Sequence, residues 1–147
     1  MVEVEQHFFF ISYLTEMERL LCITREGLIM SIFQNYLFNI IALDETEEME
    51  PVGDIEGGIL ACCWTNDQEI LLIVTAIGSL VLLNNSFEVL NEIHVDDLDT
   101  SAPVNISWRS DGEFVAINYK GNEKRCIKVF TKDLQFSAIS FVFLSFS

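Results

Sequence analysis

The stretch "ACCWTNDQEILLIVTAIG" (residues 61–78) returns as "NISWRSDGEFVAINYKG" (residues 105–121). Trp64 falls on Trp108, Asp67 on Asp111 and Glu69 on Glu113, each pair 44 residues apart. Self-similarity at a period of this size marks an array of like supersecondary units, each too small to bury its own apolar faces. Within each copy a short apolar run ends in Trp, a polar turn carrying Asp follows, and further apolar runs are cut by Asn, Asp, Gly and Ser. Runs of four to eight apolar, β-branched and aromatic residues between such breakers read as strands and turns. The expected strands are 59–64, 69–76, 79–84 and 87–95 in the first copy, and 103–108, 113–119, 125–130 and 134–140 in the second.

A more worn copy lies upstream. "ERLLCITREGLIMSIFQ" (18–34) reads as two strands about a Gly27 turn, like "EILLIVTAIGSLVLLNN" (69–85), but without the Trp and Asp. There "YLFNIIAL" (36–43) is expected as the outer strand and "GDIEGG" (53–58) as the loop into the next unit. Four short strands per unit of about 40 to 45 residues is the arithmetic of a WD40-type β-propeller blade. The expected fold is all-β, with about three WD40-like blades in an incomplete ring spanning 1–147: 8–52, 53–98 and 103–147. A β-sandwich has the same strand spacing but gives no reason for the repeat.

Inside this frame the paired cysteines have a structural reading. Trp64 and Trp108 supply apolar area between blades, each indole N–H seeking an acceptor. Asp67 and Asp111 hold the following turn, where Gly112 takes a positive φ, and Glu69 and Glu113 open the next strand. Cys62 and Cys63 then point to opposite faces of one strand. A nucleophile drawn from either cysteine with His94 lacks a local signature. A metal site would want CxxC-like spacing with a histidine close in sequence, and neither His7 nor His94 is close. No metal ligands, cofactor or catalytic residues are assigned. Four cysteines in 147 residues, set in apolar runs, suit a reduced intracellular protein.

Charge narrows the partners. Eight Lys and Arg against 23 Asp and Glu give a formal charge of −15, which repels phosphate backbones and anionic membranes. The acids concentrate in "DETEEMEPVGDIE" (44–56) and "IHVDDLD" (93–99), read as solvated loops, with contact to a basic partner as the sharper alternative. Glu47, Glu48, Asp96 and Asp97 are the candidate contacts. The N-terminus has no basic region or small-residue cleavage site, and no apolar run reaches the length of a spanning helix.

Residues 53–98 resemble a blade from the N-terminal propeller of the largest, scaffolding subunit of the Elongator complex. The match rests on Trp64, Asp67, Gln68, Glu69, Phe87, Glu88, His94, Asp96 and Asp97. "ISWRSDGEFVAI" (106–117) resembles that family's next blade start and "CIKVFTKDLQ" (126–135) the strand after it. The family's longer insert between Asp99 and Pro103 is absent, and three blades cannot close a ring of four to eight, so a truncated or partial product is expected. The resemblance implies a non-catalytic scaffold that contacts other Elongator subunits in support of tRNA wobble-uridine modification. It implies no direct nucleic-acid or membrane contact, and a cytoplasmic location with the nucleus as a second compartment. Another WD40-type adaptor and a small cysteine-dependent β enzyme are the alternatives.

Overall fold

The computed structural model describes residues 8–33, 49–122 and 124–143. The described residues contain twelve strands and no helix. The strands form three four-stranded antiparallel sheets, each paired in chain order. The first contains β1 (Phe8–Leu14), β2 (Arg19–Thr24), β3 (Leu28–Phe33) and β4 (Met49–Asp54). The second contains β5 (Ile59–Trp64), β6 (Ile70–Thr75), β7 (Ser79–Asn84) and β8 (Val89–His94). The third contains β9 (Asn105–Trp108), β10 (Phe114–Lys120), β11 (Lys124–Thr131) and β12 (Phe136–Phe143). All eight strands of the two clear repeats lie where the apolar runs place them.

The chain divides into two compact units, Met1–Ile59 and Leu60–Ser147. In the first, β2 is the most deeply buried strand, with Leu21, Cys22, Ile23 and Thr24 all buried. Its outer strand differs from expectation: β4, Met49–Asp54, pairs with β3, whereas 36–43 lies outside the described residues. An acidic segment can serve here because β4 ends the sheet and needs only one hydrogen-bonded side. Pro51, which lacks an N–H, is tolerated at such an edge, and a register shift at Ile29/Met30 sits beside it. Gly53 fits because an added Cβ would stand 3.3 Å from Cδ1 of Ile29.

In the second unit two sheets share a core. Leu72 and Val74 from β6, Leu80 and Leu82 from β7, Val115, Ile117 and Tyr119 from β10, and Cys126 and Phe130 from β11 form one cluster. The alternation of Val115, Ile117 and Tyr119 with the half-buried Ala116 and Asn118 is the two-residue strand period turned into packing. In contrast, β6 is buried from Leu71 through Thr75, and its run has no polar face to alternate with.

The turns repeat as faithfully as the strands. Thr24 and Thr75 each accept an N–H four residues on, from Leu28 at 3.1 Å and Ser79 at 3.0 Å, about Gly27 and Gly78 with positive φ. At the reversals after Trp64 and Trp108, Gln68 has φ 58° and Gly112 has φ 72°, so one repeat places a side chain where the other has glycine. For an L residue that conformation costs roughly 1–2 kcal/mol, against about 0.5–1 kcal/mol of extra chain entropy lost by glycine. Gly112→Ala should therefore lower stability by about 1 kcal/mol. Urea unfolding followed by tryptophan fluorescence measures the loss, and an unchanged or raised stability would contradict the assignment.

Candidate functional site

The turn carboxylates come first, because their partners define what they do. Asp67 accepts from Thr65 Oγ1 at 2.6 Å and from the Glu69 N–H at 3.1 Å. Asp111 accepts from the Glu113 N–H at 3.0 Å and from Arg109 Nε at 2.8 Å. Arg109 also lies over the Phe114 ring, 4.5 Å from its centroid. The Arg109 hydrogen bond is the main reason the Asp111 carboxyl falls from its ordinary value to about 2, with the Glu113 N–H second. Hydrogen bonding to Thr65 lowers Asp67 in the same direction. Each carboxylate holds its reversal through Oδ1, which accepts a backbone N–H two residues on. Glu69 is exposed, and Glu113 pairs with Lys132 at 3.4 Å.

The tryptophans divide. Trp108 donates its indole N–H to the Cys63 carbonyl at 3.0 Å, tying β9 to β5, while Asn66 Nδ2 reaches the Ser110 carbonyl at 3.2 Å. The buried Trp64 Nε1 has no hydrogen-bond partner among the described residues.

Neither cysteine is armed. Cys62 and Cys63 are free thiols and half-buried. Burial pushes the Cys62 thiol up to about 12, helped by the neighbouring Cys63, and burial raises Cys63 as well. The thiolate is the nucleophile, so raising a thiol's pKa lowers the thiolate population at neutral pH. His94 instead stands between Ser79 Oγ and Asp96, at 3.5 Å from each. The residue types are those of a Ser-His-Asp triad, but both contacts are long and Ser79 is buried at a strand start.

The polar feature that the repeat does not explain is a cleft of about 480 Å³ lined by Asp96, Asp97, Leu98, Asp99, Lys120, Gly121 and Asn122. Two loops build it: the connection from β8 to β9 and the turn from β10 to β11. The Asp99 N–H donates to the Lys120 carbonyl at 2.8 Å, and Lys120 Nζ lies 3.8 Å from the Asp99 carboxylate. Asp96 is fully exposed; Asp97 turns inward. Tyr119 donates its hydroxyl to Asp97 at 2.9 Å, and Lys128 Nζ approaches the same carboxylate at 3.5 Å. Burial, then the Asp97 hydrogen bond, holds the Tyr119 phenol well above its ordinary value, so it remains a donor. Gly121 is required beneath this cluster: an added Cβ would meet Cys126 Sγ at 2.9 Å and Asp97 Oδ2 at 3.1 Å. Sequence reasoning grouped Asp96 with Asp97 and passed over Tyr119 and Lys128. The available signal was Tyr119 itself, because a tyrosine on the inward face after Val115 and Ile117 needs a partner for its hydroxyl. Glu47 and Glu48 lie outside the described residues. Among the described residues no group of His, Cys, Asp and Glu side chains is arranged to hold a metal ion.

A cleft whose inner carboxylate is consumed by a tyrosine and a lysine is suited to shaping a surface. The family model described as the ELP1 first N-terminal β-propeller matches residues 2–105 and 94–141. The chain belongs to this family. Elongator complex protein 1 of Rattus norvegicus is 32% identical over 103 residues, 69% of this chain and 7% of that protein. The Mus musculus protein of the same name is 39% identical over 67 residues, and that of Saccharomyces cerevisiae 38% over 74 residues, covering 44% and 48% of this chain. The chain thus spans 7%, 5% and 6% of the lengths of these relatives. Two solved structures share the fold at low identity. The β-propeller domain of Myceliophteria thermophila Cps50 (Swd1) superposes with a TM-score of 0.60 at 14% identity, covering 88% of this chain and 41% of that one. The WD40 domain of Toxoplasma gondii coronin gives 0.63 at 12% identity, covering 87% and 32%. The architecture is therefore that of WD40-type blades, and the three sheets of the described residues fall short of the four to eight of a closed ring.

Within this ELP1-type frame two outcomes follow. Tyr119→Phe removes one hydrogen bond but leaves Asp97 its lysine, whereas Asp97→Ala strands both the hydroxyl and the ammonium. Urea unfolding should show losses of about 1 and about 2 kcal/mol respectively; a Tyr119→Phe loss equal to that of Asp97→Ala would mean that Lys128 contributes nothing. For Asp111, whose folded value lies below the unfolded one, the contribution is present above about pH 4 and is lost as pH falls through about 2. Asp111→Asn should therefore flatten the acid limb of the stability profile between about pH 4 and 2 while leaving its shape above pH 5 unchanged.

Proposed function

We propose that this chain contributes scaffold to the Elongator complex, supplying protein contacts and no catalytic group, in support of tRNA wobble-uridine modification. The match of the family model over most of the chain carries the reading. In it the three blades run near 8–52, 53–98 and 103–147, and Trp64, Asp67, Glu69, Trp108, Asp111, Gly112 and Glu113 build the frame. The polar groups of the frame support it, since the turn carboxylates are occupied by their own backbone and Asp97 by Tyr119 and Lys128.

The partners are other Elongator subunits, met through acidic loops. Asp96 offers its charge outward, Asp97 acts through the loop it anchors, and Glu47 and Glu48, outside the described residues, are the further candidate contacts. A net charge of −15 argues against direct contact with tRNA or an anionic membrane. No helix among the described residues is long and apolar enough to cross a bilayer. On this reading the chain would act in the cytoplasm, with the nucleus as a second compartment. Affinity purification of the tagged protein from its own cells should recover the other Elongator subunits. Recovery of an unrelated assembly in their place would assign the chain to a different WD40-type adaptor.

A further inference from the structure

The packing of the third sheet on the second joins two unlike faces. The third sheet presents Trp108, Val115, Ile117 and Tyr119; the second presents Leu72, Val74 and the Cys63 carbonyl that receives the Trp108 indole N–H. Every sheet has one face of each kind. Leu71 and Ile73 on the second sheet, and Leu21 and Ile23 on the first, are fully buried. Two faces, one of each kind, keep exposed side chains. On the third sheet, Ala116 and Asn118 stand 44 residues on from Leu72 and Val74, and the two-residue period turns them away from the shared core. Opposite them on β11 are Val129 and Ile127; all four are half-buried, and Ala138 beside Val129 is exposed. On the first sheet, Tyr13 holds the ladder position of Trp108 opposite Leu20, and Ile11 stands opposite Cys22, which pairs with Met30. Ile11 is 60% and Tyr13 37% exposed.

Charge divides along the same line. Six of the eight Lys and Arg fall within residues 109–132, whereas residues 1–59 hold two against twelve Asp and Glu. The four strands of the third sheet contain no Asp or Glu. Lys120 and Arg125 stand directly opposite each other on its outward face, at the β10–β11 turn. Lys120 lies 3.8 Å from Asp99 and Arg125 donates to the Pro103 carbonyl at 3.3 Å, so neither is held in a short ion pair. The corresponding end of the first sheet carries Glu26 in the β2–β3 turn and Asp54, which is opposite Leu28 on the Tyr13 face; both acids are exposed.

We propose that this chain associates head to tail with a second copy. The outward face of the third sheet of one copy packs on the Tyr13 face of the first sheet of the next, as the second sheet packs on the third. Ile11, Tyr13 and Leu20 of the next copy then cover Ala116, Ile127 and Val129, while Lys120 and Arg125 approach its Glu26 and Asp54. Pairing of like faces is disfavoured by the same charges. Two third-sheet faces would set Lys120 and Arg125 against themselves, and two first sheets would bring together the acid-rich units. A contact between unlike faces either closes a ring or extends as a filament, and both contain it.

Sedimentation velocity of the purified chain at about 0.1 M salt tests this. The parent should be assembled at about 0.1 mM, and Ile11→Lys and Val129→Glu should each weaken association by at least about tenfold. Each variant keeps the face that the other has lost. An equimolar mixture of the two should therefore form one-to-one dimers where either alone is monomeric. Arg125→Glu should also weaken association, and Arg125→Glu with Asp54→Arg in the same chain should restore it. This charge exchange decides alone if either face variant loses its urea unfolding transition. The proposal is overturned if the parent is monomeric at about 0.1 mM, if the mixture of folded variants stays monomeric, or if the charge exchange restores nothing. Loss of association through only one of the two faces would mark a contact between like faces and overturn it too.

Discussion

A four-stranded sheet with six-residue strands has two faces and no interior, so its apolar side chains are buried only when another layer lies against it. This constraint governs the Leu60–Ser147 unit. Leu72, Val74, Leu80 and Leu82 from one sheet meet Val115, Ile117, Tyr119 and Phe130 from the next. Burying side chains of this size contributes roughly 1.5–3 kcal/mol each, which outweighs any single hydrogen bond at the sheet ends. The polar contacts have a different task. The bonds from Trp108 to Cys63, Asn66 to Ser110, Asn91 to Asp133 and Tyr119 to Asp97 all join elements of neighbouring sheets and fix how the two layers register.

Strain collects in the connections. Gln68, Phe87 and Leu134 have φ of 58°, 63° and 60°, conformations that favour glycine. Phe87 and Leu134 occupy the same place in equivalent turns: each donates its N–H three residues back, to Asn84 and Thr131, at 3.0 and 2.9 Å. Asn84 and Thr131 then use their side chains to hold the N–H groups of Glu88 and Gln135. Leu134 explains the choice of a large apolar residue, since its side chain is buried in the shared core. Glycine would relieve the backbone there but would empty a position that packs.

The parts legible in the sequence are those that physics repeats. Strand positions in the two clear copies follow from apolar runs between breakers, and the Asp67 and Asp111 turns follow from a short carboxylate beside N–H groups. The first sheet was less legible: Tyr13 holds the ladder position of Trp108, opposite Leu20 as Trp108 is opposite Val115, but its phenol is a weaker signal than an indole. β4 was hidden because an edge strand tolerates Pro51 and Glu50, the residues that otherwise argue for a loop. The division of Asp96 from Asp97 was also invisible. Adjacent carboxylates look alike until a tyrosine 22 residues away claims one of them.

The repeat also indicates where recognition can reside. Features shared by the copies, such as Trp, the turn carboxylate and the core strands, are consumed in building the frame and cannot distinguish one partner from another. Specificity must come from positions where the copies differ. The loop of Asp96 to Asp99 has no counterpart of equal charge between β4 and β5, where Ile55–Gly58 supplies only Glu56. The outer strands are similarly uneven: β8 begins with Val89 and Leu90 after Glu88 and before Glu92, whereas β12 runs Phe136–Phe143 without a charge. A shared framework can therefore bear different contacts on each blade without altering the packing that holds the blades together.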